Sequence, residues 1–110
     1  MIKNFNCCCN NNSCDPTIYV KVTNKGDLYI RFILQYSLAG QTFTHQIDLS
    51  RRRTKRYYIP KNSYNICLNI LNISFHDTTL IHHECISGLE NVCYDVKGLP
   101  QEPICIKVPC

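Results

Sequence analysis

The chain has 110 residues, a net charge of +4, nine cysteines and no Trp. That length suits one domain with a modest core. One Ala and one Met, set against many Ile, Val, Thr and Tyr, disfavour a helical bundle and suit pleated, half-buried strands. No run approaches the roughly 18 apolar residues of a membrane-spanning helix.

Residues 1–16 differ from the rest. "NFNCCCNNNSC" places Cys7, Cys8, Cys9 and Cys14 among asparagines and few apolar side chains. Such a segment cannot bury enough surface to offset its ordering entropy, so it is expected as a flexible N-terminal arm. Asp15-Pro16 closes it. The start also lacks the basic and apolar regions of a secretory signal, which leads us to expect synthesis without Sec export.

From Thr17 the pattern is alternation broken by turns. "TIYVKVT" sets Ile18, Val20 and Val22 on one face, and Asn24 to Asp27 form a turn. "LYIRFILQY" aligns Leu28, Ile30, Phe32, Leu34 and Tyr36 before Ala39-Gly40. "QTFTHQIDL" aligns Phe43, His45, Ile47 and Leu49, and the basic run "RRRTKR" leads into a short strand from Lys55 to Ile59. "SYNICLNILNISF" points Tyr64, Ile66, Leu68 and Ile70 inward, and the apolar face then switches near Leu71 to Ile73, as at a bulge. "TTLIHHEC", "NVCYDV" and "PICIKV" complete about eight short strands. The spacing predicts a single antiparallel β-sandwich or jelly roll over residues 17–110.

The period of two also aims the cysteines. Cys67 lies opposite Ile66, Leu68 and Ile70. Cys93 lies opposite Val92, Tyr94 and Val96. Cys105 shares a face with Lys107, opposite Ile104, Ile106 and Val108. Cys110 ends the chain after a proline, and Cys85 sits in too weak a pattern to place. Outward cysteines on neighbouring strands can bridge each other within the chain. Alternatively, Cys67, Cys93, Cys105 and Cys110 are sockets for arm thiols of neighbouring subunits. A fully extended arm of this length reaches roughly 50 Å.

Other chemistries are less favoured. His82 and His83 are adjacent on a strand and point to opposite faces, and the arm thiols lack a paired C-x-x-C partner, so no metal or other cofactor is expected. The run Arg51 to Arg56 could meet phosphate, but a single basic run is a weak nucleic-acid signal and reads equally as a solvated turn. A Cys–His pair could act as a nucleophile, yet no motif assembles one, and no enzyme is expected. Asn11 and Asn72 carry Asn-x-Ser, with Asn72 inside a strand.

The cysteine-bearing arm (Cys7, Cys8, Cys9, Cys14) followed by a β-domain with Cys67, Cys93, Cys105 and Cys110 resembles the subunits of bacterial endospore appendages. That resemblance implies a self-assembling structural subunit on a spore or cell surface, a homopolymeric filament whose arms bond covalently to neighbouring bodies. Two other stretches, "YYIPKNSYNICLNI" and "CYDVKGLPQEPICIKV", resemble the C-terminal β-sandwich of thiol-activated cytolysins. The Trp-rich membrane-binding loop of that family has no counterpart here, so membrane recognition is not implied. The filament subunit is the leading expectation. The alternative is a monomeric, secreted, toxin-like or lectin-like binding module with internal disulfides only.

Overall fold

A computed structural model of the chain describes residues 17–88 and 90–110. The arm and its cysteines Cys7, Cys8, Cys9 and Cys14 lie outside the described residues. The elements are β1 (Thr17–Asn24), β2 (Ile30–Leu38), β3 (Gln41–Leu49), β4 (Thr54–Pro60), β5 (Tyr64–Asn72), β6 (Thr79–Ile86), β7 (Val92–Leu99) and β8 (Glu102–Val108). They form two four-stranded sheets, ordered β4-β1-β7-β8 and β3-β2-β5-β6. Every pairing is antiparallel except β1 with β7. The all-β sandwich read from the sequence is the observed fold, and the described residues contain no helix.

The core lies between the sheets. One wall carries Ile18, Val20, Val22, Ile59, Val92, Tyr94 and Val96, and the other Ile30, Phe32, Leu34, Ile66, Leu68 and Ile70. Alternation makes this arrangement obligatory. A strand with every second residue apolar can hide that row only by turning it toward a second sheet.

The sequence reading erred at both ends of β5. Tyr64 was expected inward but is exposed. Asn65 adopts φ 51°, and the β2–β5 register shifts between Gln35 and Ser37, which breaks the alternation just before Ile66. At the other end the face does not switch. Asn72 continues the inward row, fully covered, with its Nδ2 donating to the Pro100 carbonyl at 2.8 Å. The irregularity belongs to the β5–β6 pairing, where Ile70 meets His82 but Leu71 meets Leu80. Burial also removes Asn72 from glycosylation.

The turns at one end are tied together by a second buried asparagine. Asn24 Nδ2 donates to the Leu28 carbonyl at 2.8 Å and to the Leu49 and Ser50 carbonyls, while its Oδ1 accepts the Gly26 N–H. Gly26 packs so closely on the β7–β8 hairpin that a Cβ there would stand 2.8 Å from the Gly98 carbonyl oxygen. Asn24→Ala orphans several buried backbone groups and is expected to lower stability by about 1–3 kcal/mol in denaturant melts.

The β2–β3 hairpin closes through Ala39 and Gly40, both with positive φ (52° and 80°). That is the two-residue turn whose twist suits a hairpin, and it favours Asn at the first position. Ala39→Asn is therefore expected to raise stability by up to about 1 kcal/mol in the same assay.

Candidate functional site

The body cysteines pair mainly within the chain. Cys67 and Cys85 sit directly opposite each other on β5 and β6 and are bonded. Cys93 is bonded to Cys110. Cys67 lies on the outer face as expected. Cys93 also lies opposite the core row of β7, but it is only 1% exposed, which corrects the expectation of an exposed sulfur. Cys110, the last residue after Pro109, is exposed.

Cys105 is the larger correction. The sequence reading turned Ile104, Ile106 and Val108 inward and Cys105 with Lys107 outward. The β7–β8 register does the reverse. Val96 pairs with Cys105 and Tyr94 with Lys107, and directly paired residues share a face. Cys105 therefore packs against the core as a free thiol, and Ile104 and Ile106 face solvent. A one-residue slip exchanges the faces of a whole strand, and here the hairpin turn sets the register. Gly98, at the end of β7 just before that turn, has φ +96°, and a Cβ on it would collide with the Glu102 carbonyl oxygen.

Lys107, on the same strand face as Cys105 but exposed at the sheet edge, finds its partner on the other sheet. Its Nζ donates to Glu84 Oε2 at 2.8 Å, and Glu84 Oε1 accepts from Tyr94 Oη at 2.8 Å and meets His82 Nε2 at 3.1 Å. The Lys107 hydrogen bond, opposed by desolvation and helped by Tyr94 and His82, holds the Glu84 carboxyl down at about 2. Burial and the Glu84 charge push the Tyr94 phenol far up. Burial first, then Glu84 and Asp95, push the Cys105 thiol up to about 11. At neutral pH Cys105 is protonated and a poor nucleophile. This cluster joins the β6 and β8 edges, and its groups satisfy one another.

His82 belongs to this inward cluster, and His83 faces out. The opposite aim expected of the two histidines is observed.

The loop end gathers several exposed side chains. The turns 25–29, 50–53, 73–78 and 99–101 converge there. Asp27 N–H donates to the Gly98 carbonyl, Ile73 N–H to the Tyr29 carbonyl and Arg52 N–H to the Asn24 carbonyl. Around them stand Tyr29, Phe75 (50% exposed), Leu80 (60%) and Leu99 (54%). Arg51 pairs with Asp27 at 2.8 Å and lies 5.8 Å over the Tyr29 ring. Arg52 and Arg53 are exposed and form no ion pair among the described residues. Arg52 takes φ 67°, which directs the basic run around the turn. Sequence reading found the arginines but assembled no site around them. The four loops are far apart in sequence, and only the cross-sheet topology gathers them.

No family model matches the chain, and no curated protein matches it by sequence. Solved structures do share its fold. Suilysin from Streptococcus suis superposes with a TM-score of 0.68 at 11% identity, over 87% of this chain and 24% of suilysin. The membrane-binding domain of pneumolysin gives 0.67 at 9% identity, over 86% of this chain and 98% of that domain. Listeriolysin O gives 0.63 at 12% identity, over 87% of this chain and 23% of its own length. This chain thus spans about a quarter of the whole cytolysins and nearly all of one separate domain. At such identities the likeness establishes the sandwich fold. It agrees with the resemblance to the cytolysin C-terminal domain, and these comparisons give the endospore-appendage resemblance no support.

The Glu84 pairing has a pH signature. Its folded value lies below the ordinary 4.5, so the stabilisation is present above that value and disappears as pH falls toward about 2. Glu84→Gln should lower the melting temperature at neutral pH, and the gap to the parent should close between pH 4.5 and 2. Lys107→Gln should raise the Glu84 pKa, read by carboxyl NMR titration.

Proposed function

We propose that this chain is an extracellular, monomeric β-sandwich recognition module that docks by its loop end on a lipid surface. At that end it acts by binding, and it lies on the surface rather than spanning it. The observation that carries this reading is the group of exposed side chains Tyr29, Phe75, Leu80 and Leu99 at the same end as Arg52 and Arg53, which form no ion pair among the described residues. Aromatic and aliphatic groups partition into the interface between headgroups and acyl chains, and arginines add attraction to anionic headgroups. The similarity to the membrane-binding domain of pneumolysin supports a module of this kind. The absence of Trp points to a different set of anchors, with Phe and Leu in its place. The disulfides Cys67–Cys85 and Cys93–Cys110 fit an oxidising compartment.

A filament cross-linked through the body cysteines has less support. Cys67, Cys85, Cys93 and Cys110 are bonded within the chain, and Cys105 packs inward. A monomer on non-reducing SDS electrophoresis is the expected result. A reductant-sensitive ladder would favour the filament.

Vesicle co-sedimentation tests the docking surface. The protein should pellet with phosphatidylserine vesicles more than with phosphatidylcholine vesicles, and salt should weaken the preference. Burying one large apolar side chain contributes about 1.5–3 kcal/mol, so Phe75→Ser or Leu99→Ser should each weaken binding about tenfold or more. Failure to pellet with either vesicle would sink this reading.

A further inference from the structure

The outer face of the β3-β2-β5-β6 sheet holds an arrangement that the loop end does not use. Cys85 and Cys67 are bonded across β6 and β5, and the next pair on the same face of the ladder is His83 opposite Asn69. His83 Nδ1 is hydrogen-bonded to Asn69 Oδ1, and His83 Nε2 stands 3.9 Å from Cys85 Sγ. An amide oxygen only accepts, so Nδ1 carries the hydrogen and Nε2 is the nitrogen aimed at sulfur. Cys85 and His83 are exposed and Cys67 is half-buried, so solutes reach this bond. The chain's other described disulfide contrasts with it, because Cys93 is covered.

We propose that Cys67–Cys85 is a thiol–disulfide exchange site for low-molecular-weight thiols, with His83 as its catalytic residue and Asn69 as the residue that positions the imidazole. An incoming thiolate attacks Cys67 Sγ in line with the S–S bond, from the β2 side, where the facing residue is the exposed Gln35. A mixed disulfide forms at Cys67, and the electron pair of the broken S–S bond leaves with Cys85 Sγ. When His83 is protonated its Nε2–H stabilises that thiolate and then transfers the proton to it, while Nδ1–H stays on Asn69. A better-stabilised leaving thiolate leaves faster. A second thiolate then attacks the mixed disulfide, releasing Cys67 as a thiolate and an oxidised small-molecule disulfide. Two electrons pass from two thiols to the protein bond. In the reverse direction the neutral Nε2 accepts the Cys85 proton.

The fold survives the opening of this bond. β6 remains hydrogen-bonded to β5 along its ladder, and Glu84 still ties it to Tyr94 and Lys107 of the opposite sheet. The exchange is therefore reversible chemistry on a folded scaffold.

Limited treatment of the full chain with reduced glutathione, quenched with iodoacetamide and mapped by peptide mass spectrometry, tests the proposal. The expected early products carry glutathione on Cys67 and the alkyl group on Cys85, with Cys93–Cys110 intact. His83→Gln should slow opening of Cys67–Cys85 at least about tenfold, without changing the rate at Cys93–Cys110. Asn69→Leu should slow it as well, and Asn69→Asp, which still accepts the Nδ1–H, should restore it. Glutathione arriving first on Cys85, or equal opening rates for the two disulfides in the unsubstituted chain, overturns the proposal. The adduct position is read on that chain, so the test stands even if a variant misfolds.

Discussion

Two rows of side chains meeting between the sheets govern every other placement in this molecule. Phe32, Leu34 and Leu68 from one sheet face Val20, Val22 and Tyr94 from the other, and all are sealed from water. In a strand the row next to a buried one must point away, so the buried rows also determine what the outer faces present. Cys67 and Asn69 face outward because Ile66, Leu68 and Ile70 face inward. Lys107 shares the inner face of its sheet because its ladder partner, Tyr94, is in the core, and at the edge it stays exposed to solvent.

The two open edges of the sandwich are closed by different means. Between β3 and β4, aromatic rings pack together: His45 lies 4.4 Å from Tyr57 in a tilted contact, and Tyr36 of β2 stacks on His45 at 5.7 Å and on Phe43 at 5.4 Å. Between β6 and β8, a polar group of Glu84, His82, Tyr94 and Lys107 bridges the sheets. The first closure relies on ring contact and partly buried area, and the second on charge-assisted hydrogen bonds at a partly solvent-exposed edge. The second also makes one edge sensitive to acid, because it depends on an ionised carboxylate.

The same division separates the two candidate functions. The loop end is held by buried amide hubs, Asn24 and Asn72, which satisfy the turn backbones internally. The loop side chains are then available for contacts outside the molecule. The exchange site lies on a regular stretch of ladder, where strand geometry places His83, Asn69 and the disulfide side by side. Neither depends on the other, so surface docking and thiol exchange can be altered separately.

The fold class, the eight strands and nearly all of the core rows were legible in the sequence. Alternation is a local property, and a strand with one apolar face has few ways to bury it. The outward aim of Cys67 and the opposite aims of His82 and His83 follow from the same local rule. The orientation of β8 did not, because its more apolar row carries Ile104 and Ile106 out to solvent, and its register is set by the β7–β8 turn and by Glu84 on a distant strand. The pairings Cys67–Cys85 and Cys93–Cys110 likewise depend on which strands become neighbours. So does the meeting of Phe75, Leu99 and the arginines at one end. Residue period determined the elements and most of their faces. Strand order and register, which are long-range, decided which chemistry the faces bring together.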